Sequence, residues 1–184
     1  MRGRLLEAGA VRGFAGMMLD RRYDRDGELV AKDEVLRLRV FRHGDGRNEA
    51  VLGWKGATGV SPEGYKVRRE LEFEVSSSRA APESLLEALG YRQIYAVERF
   101  VEYYHLGDTD VRLEWYPRMD VLIEVEGNEA GIESALEVIG LPRGEFTPEP
   151  LRFFAERYGA RTGRSAALEV AELPGDEAPS WDRR

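Results

Sequence analysis

Apolar and charged residues alternate through Val35-Leu36-Arg37-Leu38-Arg39-Val40-Phe41. Side chains two apart on a strand share a face, so the run predicts a strand with Leu36, Leu38 and Val40 opposite Arg37 and Arg39. His43-Gly44-Asp45-Gly46 is turn chemistry, and residues 50–55 return as the second arm of a hairpin. After a Gly/Ser/Pro loop over 56–65, residues 65–75 read as one long, charged strand. Lys66, Arg68, Glu70, Glu72 and Glu74 fall on one face, with Val67, Arg69, Leu71, Phe73 and Val75 on the other.

Three more strands follow at 94–104, 110–115 and 121–126, joined by turns at Gly107-Asp108 and Pro117-Arg118. Glu124 and Glu126 oppose Ile123 and Val125 in the last of them. Helical spacing predicts short helices over 82–89, from an Asn128 cap to about 139, and from a Thr147 cap over 148–158. The chain opens on the last turns of a helix ended by Gly9, and an apolar stretch over 14–23 precedes a turn at 24–27.

Strands joined by tight turns pair antiparallel. The expected fold is α+β: a mainly antiparallel β-barrel with helices packed outside, one domain over 1–170. Residues 171–184, rich in Pro, Gly, Asp and Glu, are expected to be a disordered acidic tail.

Composition narrows the chemistry. The 184 residues carry 27 Lys and Arg against 34 Asp and Glu, a net charge of −7. That balance opposes broad nucleic-acid or anionic-membrane binding, so neither partner is expected. No cysteine is present, which removes disulfides, thiolate catalysis and sulfur-ligated zinc. His43 and His105, the two histidines, are far apart in sequence. No stretch approaches the roughly 20 apolar residues of a membrane helix, and no signal peptide opens the chain. A soluble, cytoplasmic protein is the expectation.

The charged faces carry the chemistry. Any one such strand is most simply a solvated sheet face with its charges paired across strands. The same division repeats on several strands, however, and helices remain to cover the apolar side, so the charged faces are expected to line a barrel interior. Two like charges 4 Å apart at an effective dielectric of 20 repel by about 4 kcal/mol. A bound anion and a metal would relieve that. Arginine offers forked donors to phosphate oxygens, and carboxylates are the hard ligands that Mg²⁺ or Mn²⁺ prefers.

In these residues the chain resembles the CYTH family, the triphosphate tunnel metalloenzymes, and especially its class IV adenylate cyclase branch. The resemblance spans about residues 5–167. It rests on Leu19-Asp20 through Tyr23-Asp24, Glu34-Val35-Leu36-Arg37-Leu38-Arg39, Trp54-Lys55-Gly56, Lys66-x-Arg68-x-Glu70-x-Glu72, Arg99, Glu114 and Glu124-Val125-Glu126, in that order.

The resemblance implies a tunnel that binds a triphosphate (ATP, thiamine triphosphate or tripolyphosphate) through Arg37, Arg39, Lys55, Lys66, Arg68 and Arg99. It implies Mg²⁺ or Mn²⁺ on Glu70, Glu72, Glu114, Glu124 and Glu126. Family members cyclise ATP to cyclic AMP and pyrophosphate, or hydrolyse triphosphates. Two departures stand out. The family's first strand, Glu-x-Glu-x-Lys, has no counterpart here, which leaves the catalytic residue unknown and makes a binding module without turnover a further alternative. Val101 stands where the family has a second basic residue. The sequence leaves the oligomeric state open, a homodimer being the common case by base rate.

Overall fold

The alternation at Arg37 and Arg39 becomes a strand in the computed structural model, which describes residues 1–75 and 80–183. The elements in chain order are α1 (Arg2–Glu7), β1 (Val11–Asp24), β2 (Val35–His43), β3 (Asn48–Lys55), β4 (Gly59–Val60), β5 (Lys66–Val67) and β6 (Glu70–Val75). There follow α2 (Ala80–Ala88), β7 (Arg92–Leu106), β8 (Thr109–Trp115), β9 (Leu122–Glu126), α3 (Glu129–Ile139) and α4 (Leu151–Thr162). The fold is α+β. Seven strands hydrogen-bond in the order β6-β3-β2-β1-β7-β8-β9, while β4 and β5 form a separate ladder. The order ends at β6 on one side and β9 on the other. No pairing that would close the expected barrel is present among the described residues.

The chain divides into two compact units. One is Met17–Glu98; the other joins Met1–Gly16 to Arg99–Arg184. In the first, β3 pairs antiparallel with both β2 and β6, so that Arg37 stands opposite Gly53 and Gly53 opposite Glu72. Leu38, Val40 and Ala50 face away from this charged row. They form a core with Leu19 and Tyr23 of β1, closed by Leu86 of α2. In the second unit β8 pairs antiparallel with β7 and β9. Its core packs Tyr104, Val111 and Leu113 against Leu5 of α1 and against Ala135, Leu136 and Ile139 of α3. Helices α1, α2 and α3 bury apolar residues on the apolar side of the strands, as the alternation requires, whereas α4 buries none.

Two local expectations are corrected, and one stretch left without an element is assigned. Residues 65–75 do not form one strand. The Arg69 carbonyl accepts from Gly56 N at 2.8 Å, and Arg68 Nε donates to Gly56 O at 2.6 Å. That clasp takes residues 68 and 69 out of the ladder, so β6 starts at Glu70. The last helix does not begin at 148. Pro148 and Pro150 lack N–H groups and push the residues before them to extended backbone, so α4 starts after Pro150. Thr147 accepts a hydrogen bond from Glu149 N without capping it. The apolar stretch over 14–23 lies within β1, a strand of 14 residues.

Asn128 caps α3 as expected, its Oδ1 accepting from Gly131 N at 2.8 Å. The stretch expected to be a disordered tail holds a 3₁₀ turn at Ser180–Arg183. There Ser180 Oγ donates to the Tyr116 carbonyl at 2.5 Å, and Glu177 accepts from Arg118 at 2.8 Å. No helix among the described residues is long and apolar enough to cross a membrane.

Leu38 is fully buried, whereas Leu85 is 58% exposed. Leu38→Ala should destabilise by about 2–5 kcal/mol through the cavity it leaves. Leu85→Ala should stay within about 0.5 kcal/mol of wild type. Urea unfolding of the two variants checks the contrast.

Candidate functional site

In the unit Met17–Glu98 the charged face is built from three strand rows. Val35, Lys55 and Glu70 form the first, Arg37, Gly53 and Glu72 the second, and Arg39, Val51 and Glu74 the third. Lys55 Nζ reaches Glu70 directly, at 2.5 Å. Arg37 and Glu72 are two strands apart, yet Arg37 Nη2 donates to Glu72 Oε1 at 2.6 Å. Gly53 leaves room for this. A Cβ there would stand 3.1 Å from Glu72 Oε1 and 3.2 Å from its Cγ, so a side chain at 53 would crowd the Glu72 side chain and oblige it to shift.

Arg39 extends the cluster. Its Nη1 lies 3.8 Å from the same Glu72 oxygen, and its Nε donates to Asp20 Oδ2 at 3.2 Å. Arg37 and Arg39 are both buried, their side chains 7% exposed, whereas the Glu72 side chain is 37% exposed.

Electrostatics follow from this packing. Burial, and then neighbouring Arg39, lower the Arg37 guanidinium against the pull of Asp20 and Glu72. Arginine stays charged regardless, so the shift expresses the cost of holding two cations together out of water. Burial pushes the Glu72 carboxyl up. The Arg37 hydrogen bond, aided by the charges of Arg37, Arg39 and Lys55, outweighs it and holds that carboxyl below its usual range. Arg37 Nε is buried and has no hydrogen-bond partner among the described residues.

The unit containing Arg99–Arg184 carries a second cluster. Arg99 Nε lies 3.2 Å from Glu114 Oε1, and its guanidinium sits over the Tyr116 ring at 5.8 Å. Tyr116 donates its hydroxyl to Glu114 Oε2 at 2.5 Å. Burial and the Glu114 charge push the Tyr116 hydroxyl well above its ordinary pKa, so it remains a donor. Arg112 donates to Glu124 at 2.9 Å and to Glu126, and stacks over Tyr103 at 4.8 Å. Burial works against the Arg112 charge, but Glu124 and Glu126 more than offset it and raise its pKa.

The sequence-derived residues fall into two groups, one within each unit. Arg37, Arg39, Lys55, Glu70 and Glu72 gather on one face; Arg99, Glu114, Glu124 and Glu126 gather on strands of the other unit. Lys66 is exposed in the small β4-β5 ladder, off the seven-stranded sheet. Arg68 is spent on backbone. It donates to the carbonyls of Gly56 and Asp33, and Asp33 holds a left-handed φ of 54°.

Asp20, Gly53, Arg112 and Tyr116 belong to the clusters without having been singled out as site residues. Arg112 was legible: Asp110, Arg112 and Glu114 alternate with Val111, Leu113 and Trp115 by the same two-residue rule. Among the described residues no three His, Asp or Glu side chains stand together as a metal-ligand set. All five glutamates expected to bind metal contact a cation, and Glu114 contacts Tyr116 as well.

No protein-family model matches this chain, and no curated protein matches it. Solved structures do. The chain is similar to the PH1819 protein of Pyrococcus horikoshii OT3, with 21% identity over 89% of this chain and 93% of that one, at a TM-score of 0.62. The PH1012 protein of the same organism matches at 17% identity over 83% and 90%, TM-score 0.63. A candidate adenylate cyclase of Vibrio parahaemolyticus matches at 14% identity over 85% and 92%, TM-score 0.64. At these identities the likeness is one of fold.

Two predictions follow from the Arg37–Glu72 row. Gly53→Ala should crowd Glu72 and lower the melting temperature, while Ala50→Gly on the opposite face should leave the Arg37–Glu72 contact intact; crystal structures of both variants check this. Glu72 has a lowered pKa in the fold, so its contribution to stability is full above about pH 4.3. It is lost as pH falls through the lowered value. The stability gap between wild type and Glu72→Gln should therefore be constant from pH 6 to 5 and close on further acidification, as followed by urea unfolding at each pH.

Proposed function

We propose that this protein binds a small molecule through its triphosphate, using the charged face centred on Arg37 and Arg39. The observation that carries the reading is the burial of these two arginines side by side, with Arg37 Nε lacking a hydrogen-bond partner among the described residues. Cations desolvated this way are costly unless an anion meets them. A phosphoryl group offers several oxygens to forked donors, where a carboxylate offers two. Lys55 adds a point charge on the neighbouring row. The ordered resemblance to the CYTH family supports the same reading, as does the shared fold with a candidate adenylate cyclase.

Within this reading the substrate is ATP and the reaction is cyclisation. The ribose 3′-hydroxyl gives up its proton to solvent, its oxygen bonds to the α-phosphorus, the bond from that phosphorus to the β-phosphate bridging oxygen breaks, and pyrophosphate leaves. Arg37 and Arg39 would neutralise the negative charge that grows on the leaving group. Among the described residues the glutamates are engaged with cations. Mg²⁺ or Mn²⁺ would enter with the triphosphate and take most of its ligands from phosphate oxygens.

The test is thermal unfolding with tripolyphosphate, with and without Mn²⁺. At a hundred times its Kd a ligand stabilises by about 2.7 kcal/mol. For a chain of this size that raises Tm by about 5–10 °C. Arg39→Gln should remove most of the shift, and inorganic monophosphate should produce little. No shift for the wild-type protein at millimolar tripolyphosphate would refute the reading. Incubation with ATP and Mn²⁺ then separates the reactions: cyclic AMP with pyrophosphate marks cyclisation, orthophosphate marks hydrolysis, and binding without product marks a module.

A further inference from the structure

Glu72 holds the position that an incoming anion needs. One carboxylate oxygen, Oε1, accepts from Arg37 at 2.6 Å and lies 3.8 Å from Arg39. The two arginines are buried and fixed, Arg39 by Asp20 as well. Glu72 is the partner with solvent access, and it sits on β6, the last strand of the hydrogen-bonded order. It reaches Arg37 only by lying over Gly53, where the backbone is bare. If Glu72 swings out, the lane above Gly53 opens and both guanidinium groups face it.

Resting on the triphosphate-binding reading, we propose that Glu72 is a built-in competitor for the ligand, occupying the Arg37–Arg39 position until a polyphosphate displaces it. The exchange favours the ligand because the carboxylate leaves Arg37 Nε without a hydrogen bond. A phosphoryl group can engage Nε and Nη2 together, the forked arrangement that arginine suits best. It can also span Arg39 with a second oxygen. Glu72 keeps the cations neutralised while the site is empty, which lowers the cost of holding them buried. This role has the opposite sign from that of a metal ligand. A metal-binding glutamate strengthens triphosphate binding, and a competitor weakens it.

Calorimetric titration of tripolyphosphate in metal-free buffer with chelator distinguishes the two. Glu72→Gln keeps an acceptor for Arg37 but removes the charge, and it should bind about tenfold tighter than wild type, a change of about 1.4 kcal/mol. Glu72→Ala should change affinity in the same direction. Unchanged or weaker binding by the folded variants, with wild type binding normally, overturns the competitor role and leaves the binding site standing. Binding by the variants far more than tenfold tighter than by wild type supports the role in its strongest form. Absence of binding in all three proteins overturns both proposals.

A measurement on the unaltered protein covers the case in which the variants do not fold. The assigned Glu72 Cδ resonance should move toward that of a solvated glutamate as tripolyphosphate is added. A resonance that stays fixed while the ligand saturates the site overturns the exchange.

Discussion

The unit Met17–Glu98 is organised around charge that has been taken out of water. Arg37 and Arg39 lie on the same face of β2, and both are buried. Each needs an acceptor within reach. Asp20 of β1 supplies one and Glu72 of β6 the other, the latter across two strands. That reach favours a small residue at 53, because a side chain there would crowd the Glu72 carboxylate. It also fixes register, since a one-residue slip of β6 would carry Glu72 to the apolar side. The apolar face is the same constraint seen from behind: Leu38, Val40 and Ala50 must meet Leu86 of α2 for the opposite face to present Arg37 and Arg39.

The second cluster obeys the same rule with different partners. Arg99 and Arg112 are buried on β7 and β8, and each is answered by glutamate and covered by a tyrosine ring. A buried ion pair is weak evidence for stability, because desolvation can exceed the Coulombic gain. Charge-dense strand faces answered residue by residue point to specificity, and the triphosphate reading draws on that.

Strand alternation made much of this legible. Arg37, Arg39, Glu70, Glu72, Glu124 and Glu126 all fall on the faces that the two-residue rule assigns them. So do the apolar residues behind them, and helix α3 begins at the cap that Asn128 advertises. The rule failed where tertiary contacts overrode local pattern. Lys66 and Arg68 share the parity of Glu70 and Glu72, but the clasp of Arg68 on the Gly56 and Asp33 carbonyls breaks the strand before Glu70. The hydrogen-bonded order of the strands, and the absence of closure among the described residues, depend on long-range pairing that no local window contains. The role of Gly53 was hidden for the same reason. A glycine in a strand reveals its purpose only once its neighbours on both sides are known.

The central claim is that Arg37 and Arg39 await an anion, and the Arg37 Nε–H group reports on it most directly. In protein labelled with nitrogen-15 on arginine, the Nε–H signals of Arg37 and Arg39 can be assigned by substituting each residue with lysine. Addition of tripolyphosphate should move the Arg37 signal and slow its exchange with water, as a group without a hydrogen bond gains one. Signals for both residues that remain unmoved at millimolar tripolyphosphate would contradict the account.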